Sequence, residues 1–239
     1  MLEDEMRYSA EFDRFACRGS AAAIHRQEVL ARYLGAHGAD WSFDLDAATL
    51  AAPGRTLSAA SLLGTFSAHT ATWLWAWDDP RFGWPNPVCA PLRAVYEVGE
   101  QLDVAEFTTG GFGLAEFPDP ALAVQRLAVA AGQVLGGRGV WGCPGEDGKE
   151  TVFLHLGDES VPEARFDPVG VPRLLAEAVA AFPADPRAVV LGLGESYRLT
   201  LDLAPERIVL HGEPGSVAID FDAAGRIVGA TSEVVAHLD

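Results

Sequence analysis

Tryptophans at 73, 75 and 77 alternate with Thr72, Leu74 and Ala76. Side chains two apart on a strand share a face, so the three indoles must find cover together. Each can bury on the order of 200 Å², enough to anchor a core. The spacing predicts a strand over residues 72–77 packed against a helix at 119–135, with Trp77 the member nearest solvent. A competing reading makes the same face an aromatic wall that stacks a flat ligand or a partner's side chain.

The rest of the chain supplies elements to pack around that strand. Apolar residues from Tyr8 to Leu34 recur at helical spacing before Gly35 and Gly38, which predicts one N-terminal helix, weakest near Gly19. Trp41, Phe43 and Leu45 alternate with polar residues as in a half-buried strand. Pro53-Gly54 marks a turn, and residues 57–67 read as a second strand, completing an antiparallel meander with 72–77. After a proline-rich loop at 78–90, a helix is expected from Pro91 to Leu102, and then a loop over 103–118. Asp119-Pro120 gives an N-cap and a first-turn proline for a helix that ends at Gly136-Gly137. Strands follow at 139–143 and 151–156. Beyond a junction at 158–172 comes a helix over 173–182, then strands near 196–203, 207–211, 216–221 and 226–230. The expectation is an α+β protein: an antiparallel sheet with an N-terminal helix and two further helices over 1–158, then a smaller helix-plus-meander lobe over 159–239.

Gly64-Thr65-Phe66, a short turn and Thr72-Trp73-Leu74-Trp75-Ala76-Trp77 resemble the core of a family of uncharacterised actinobacterial-type proteins classed as a domain of unknown function. The resemblance implies a loop, two helices and a final hairpin after the strand, an order that fits residues 25–158. Where that family continues with Ala-Asn-Pro, this chain has Asp78-Asp79-Pro80. No activity comes with the resemblance.

Composition narrows the function classes. Thirty-four acidic against 17 basic residues give a net charge of −17, which repels nucleic acid and anionic membrane surfaces and suits a basic protein partner. Lys149 is the sole lysine and alanine is abundant, as in a GC-rich bacterial genome. No apolar run reaches the ~18 residues of a membrane span, and the acidic Met1-Leu2-Glu3-Asp4-Glu5 start is unlike a signal peptide, so a cytoplasmic protein is expected. Cys17, Cys89 and Cys143 are odd in number and widely spaced, which fits free thiols in a reducing compartment.

Local catalytic motifs are missing. The six histidines form no H-E-x-x-H, G-x-S-x-G is absent, and Gly192-Leu193-Gly194 lacks the third glycine of a dinucleotide fingerprint. Neither a metal nor a cofactor is expected. Asp44 with Asp46, and Asp220 with Asp222, share strand faces where a cation can sit, as polar outward faces also do. The glycines at 110, 111 and 113 lie beside Glu106 and Glu116, which disfavours a phosphate. A Cys143 nucleophile would need a distant histidine such as His69 or His155, against acidic Glu146 and Asp147. The candidate binding residues are Trp77, Asp78, Asp79, Arg81 and Trp84, where charge and aromatic surface meet on a stiff loop. Two functions remain open at this level. One is a non-enzymatic interaction protein with an acidic surface. The other is a small-molecule-binding protein or enzyme with a pocket beside the Trp73–Trp77 strand.

Overall fold

The computed structural model describes residues 8–36, 40–44, 47–145 and 148–234. Its class is α+β, with five helices and three antiparallel sheets among the described residues. Two compact units emerge. One takes Arg26–Pro162 with the chain up to Phe12, and the other takes Asp13–His25 with the chain from Glu163 onward.

Helix α1 spans Ala10–Ala36 and runs unbroken through Gly19. Its start is fixed from a distance. Ser9 Oγ accepts from the Phe12 N–H at 3.0 Å, and the Glu106 carboxylate accepts from the Ser9 N–H at 2.6 Å and from its hydroxyl at 2.8 Å.

In the first unit, β1 (Ser42–Asp44), β2 (Thr49–Ala52) and β3 (Arg55–Leu57) form a three-stranded sheet, with Gly54 at φ +77° in the expected turn. Residues 57–67 are not one strand. Ala59 sits at φ +52°, β3 ends at Leu57, and β4 begins afresh at Ala60 in a different sheet. The meander expected across residues 41–77 is therefore split between two sheets.

The larger sheet contains β4 (Ala60–Ser67), β5 (Thr72–Trp75), β6 (Gly111–Gly113), β7 (Gly139–Pro144) and β8 (Glu150–Leu156), in the order β6-β5-β4-β8-β7. β6 corrects the expected loop at 103–118: three residues suffice to pair Gly111 with Leu74 and Phe112 with Trp73. Register puts Trp73 beside Phe66 and Trp75 beside Gly64 on one face, with Phe153 opposite Gly64. A Cβ on Gly64 would fall 2.4 Å from the Leu74 carbonyl oxygen and 2.7 Å from the Trp73 ring, so the bare backbone there makes room for the indole.

Helix α2 (Leu92–Leu102) turns off at Asp103, which adopts a left-handed φ of +55°. Helix α3 (Pro120–Leu135) is capped as its sequence dictates, with Asp119 Oδ1 accepting from the Leu122 N–H at 3.0 Å.

In the second unit, α4 (Val171–Ala181), α5 (Pro186–Ser196) and the antiparallel meander of β9 (Thr200–Ala204), β10 (Arg207–Gly212), β11 (Gly215–Phe221) and β12 (Ile227–Val234) follow one another. Burial alternates residue by residue along β11, with Val217, Ile219 and Phe221 inside. α5 fills a stretch between 182 and 196 where no element was expected, and the strand expected near 196–203 begins at Thr200. The α5 N-cap is a second Asp-Pro pair, with Asp185 Oδ1 accepting from the Ala188 N–H at 2.9 Å.

Candidate functional site

The tryptophan strand delivers its indoles into a continuous aromatic packing. Trp73 and Trp75 are fully buried, and Trp77, the member of the three nearest solvent, is itself only 7% exposed. The reason is the chain that follows. Trp77 stacks on Trp75 with centroids 4.5 Å apart and on Trp84 at 5.2 Å with planes 2° apart, while Tyr96 of α2 meets both Trp77 and Trp84 edge-on. The Arg93 guanidinium lies 4.9 Å from the Trp84 ring centre. Trp73 meets Trp75 and Phe153 edge-on at 5.0 and 5.6 Å. Trp75 Nε1 donates to the Glu106 carbonyl at 2.9 Å, whereas Trp73 Nε1 has no hydrogen-bond partner among the described residues.

The charged members of the loop are also brought together. Asp79 is 2% exposed, and both its oxygens accept from the Arg81 guanidinium, at 2.7 to 3.2 Å. Arg81 reaches Glu150 as well, at 3.5 Å. Burial pushes the Asp79 carboxyl up, but the Arg81 side-chain and backbone hydrogen bonds outweigh it and hold the group below its ordinary value. Asp78 is exposed and points at the glycine stretch: a Cβ on Gly110 would lie 2.3 Å from the Asp78 carboxylate. A carboxylate therefore already fills the space over Gly110 where an anion would approach.

A separate groove of about 600 Å³ opens between α3 and the β7–β8 side of the same sheet. Val124, Ala128, Phe66, Phe153 and Gly142 make it apolar, and Gln27, Gln125 and Thr151 add polar atoms. It is not lined by the Trp73–Trp77 strand, beside which a pocket was expected. These groove residues are scattered over 27–153, so no local signal marks them.

A family model described as a family of unknown function, DUF6882, matches residues 13–159. The chain belongs to this family. No curated protein and no solved structure matches it. The DUF6882 span includes the Trp77–Trp84 loop and every groove residue, and it ends before α4.

Within the DUF6882 span the reactive side chains are muted. Burial pushes the Cys89 and Cys143 thiols up to about 11, and it raises that of Cys17 too. At neutral pH such thiols are almost wholly protonated. Glu146 and Asp147, the acidic neighbours weighed against Cys143, lie outside the described residues, as does Asp46. Asp44 Oδ1 accepts from the Ala47 N–H, while Asp220 and Asp222 pair with Arg207 and Arg226. Among the described residues, no group of three or more histidine, cysteine or acidic side chains is placed to hold a metal ion, and no helix is long and apolar enough to cross a membrane.

His155 is 7% exposed on β8, and its Nε2–H donates to the Gly136 carbonyl at 2.8 Å. Burial, with Arg26 nearby, lowers its pKa. A histidine held neutral in the fold is protonated first in the unfolded chain, so stability falls as pH drops below the unfolded value of about 6.5. Asp79 has a depressed folded pKa, so its contribution is present above about 3.9 and is lost as pH falls through the lower folded value. Urea midpoints measured from pH 8 to pH 3 should thus fall in two stages. His155→Gln should remove the first stage and keep the second; a first stage that survives this substitution would show another group to be responsible.

Proposed function

We propose that this protein is a non-enzymatic interaction protein whose acidic surface engages a basic partner. The observation that carries this reading is the stretch from Ala94 to Gln125, which holds six carboxylates and no lysine, arginine or histidine. Glu97, Glu100, Asp103, Glu116 and Asp119 are exposed on it, and Leu102, 51% exposed, stands among them. Leucine within a field of one sign is a surface that an oppositely charged, partly apolar partner can desolvate. The muted thiols and the filled space over Gly110 support binding over catalysis.

The test is retention of cell proteins on the immobilised full-length chain, followed by kinetics with the protein retained. A basic partner is expected, with association slowing about tenfold or more between roughly 50 and 300 mM NaCl. Combining Glu97→Gln, Glu100→Gln and Asp103→Asn should slow association further at low salt and leave dissociation nearly unchanged. A neutral partner, or rates indifferent to salt, would sink the reading.

A further inference from the structure

We propose that β7 is a docking edge: a short extended segment of the partner, flanked by basic residues, adds to the five-stranded sheet beside Gly142–Pro144 and lays an apolar side chain in the groove under α3. The inference rests on the interaction reading and says where on the molecule that interaction occurs.

β7 is the last strand of its sheet, and an unpaired edge offers a row of peptide groups to an incoming strand. At Val140 that row is already occupied. Gln27 Oε1 accepts from the Val140 N–H at 3.0 Å, and Gln27 Nε2 donates to the Val140 carbonyl at 2.6 Å, the pair of bonds an antiparallel neighbour would make. The Val140 peptide groups therefore point away from β8. Strand geometry repeats every two residues, so those of Gly142 and the carbonyl of Pro144 point the same way. Outside the sheet ladder, no group among the described residues bonds to Gly142. Gln27 thus closes one end of the edge and leaves about four residues, from Trp141 onward, open to pairing.

The groove lies over this open stretch. Register places Val140, Gly142 and Pro144 on the same face as Thr151, Phe153 and Phe66, and all six line the groove. Gly142 keeps its floor bare: a Cβ there would sit 3.2 Å from Thr151 Cγ2 and 3.6 Å from the Phe153 ring. A volume of about 600 Å³ exceeds one large side chain, so an anchor from an added strand fits without displacing α3. Charge selects the flanks. Glu116 and Asp119 stand exposed just before Ala121 of the groove wall, and together with the chain's net charge of −17 they favour a segment whose outward positions are lysine or arginine.

The probe is a ten-residue synthetic peptide alternating lysine with leucine, blocked at both ends and titrated into isotope-labelled full-length protein. The amide signals of Gly142 and Cys143 should move. Two versions carrying equal numbers of N-methyl groups, one set on each hydrogen-bonding edge of the peptide, should separate: one binds as the parent does, and the other binds at least about tenfold more weakly. Ala121→Trp fills the groove from the exposed surface of α3 and leaves the sheet intact, and it should weaken binding by a similar factor. Equal binding of both methylated peptides would overturn strand addition while leaving the acidic reading standing. An edge preference indifferent to salt would support the docking edge and overturn the acidic reading. No shift at Gly142 with about 1 mM peptide would overturn the docking edge outright.

Discussion

Gly192→Ala is expected to lower the stability of the protein by about 3 kcal/mol or more, although alanine is by about 1 kcal/mol the better helix former. The conflict is steric. Gly192 lies in α5, and a Cβ built on it would stand 1.4 Å from the carbonyl oxygen of Arg18 in α1 and 2.4 Å from the carbonyl carbon. Both obstacles are backbone, so no rotamer change relieves them. The two helix segments would have to move apart, opening the contacts of the fully buried Val189, Val190 and Leu193 beside Gly192 and of Ala16 and Cys17 beside Arg18. The neighbours of Arg18 that α1 buries are small as well: Ala16, Cys17, Ser20 and Ala21 are all fully buried. Gly35→Ala is the control: nothing lies within 4 Å of its Cβ position, so only helix propensity acts and stability should hold or rise. Urea unfolding of the three proteins decides the matter, and a Gly192→Ala midpoint within error of the parent would refute the close approach.

How far the sequence discloses this structure depends on how local each cause is. The α3 cap is legible because Asp119-Pro120 acts within one helical turn. Asp185-Pro186 carries the same signal and starts α5, but glycines at 192 and 194 weaken the helical pattern after it. Those glycines are demanded by contacts with Arg18 and Leu201, which sequence spacing does not reveal. β6 is obscured in a similar way: glycine at 111 and 113 reads as loop, yet pairing with β5 makes Gly111–Gly113 a strand. The break between β3 and β4 turns on the left-handed conformation of Ala59, a residue type with no preference for it. The candidate loop was legible as a mixture of charge and aromatic surface, and the pairing of Asp79 with Arg81 is two residues long. What hides is how far Trp84 and Tyr96 cover Trp77, and the groove, whose walls are brought together from α1, α3 and three strands.

Trp75→Ala should cost about 3–5 kcal/mol, a large share of the 5–15 kcal/mol typical of a folded protein. The indole is fully buried, meets Trp73 edge-on and Trp77 face to face, touches the Phe107 ring edge-on at 6.2 Å, and ties its Nε1–H to the Glu106 carbonyl. Glu106 in turn holds Ser9 at the start of α1, so the loss reaches beyond the cavity itself. Trp75→Phe separates the contributions, because it keeps most of the ring and strands the Glu106 carbonyl, which should cost about 1–3 kcal/mol. Trp84→Ala removes a half-buried ring from the outer end of the packing and should cost less than Trp75→Ala, but it should speed amide exchange across residues 80–86. This ordering bears on function. Trp77 is already stacked on two indoles, so a flat ligand can reach its face only by displacing one of them. If Trp84→Ala leaves both the urea midpoint and exchange in the loop unchanged, the ring is not holding the loop down, and an aromatic binding wall at Trp77 and Trp84 becomes the better account of these residues. If the midpoint falls and the loop loosens, the tryptophans serve the core, and recognition belongs to the acidic surface and the edge of β7.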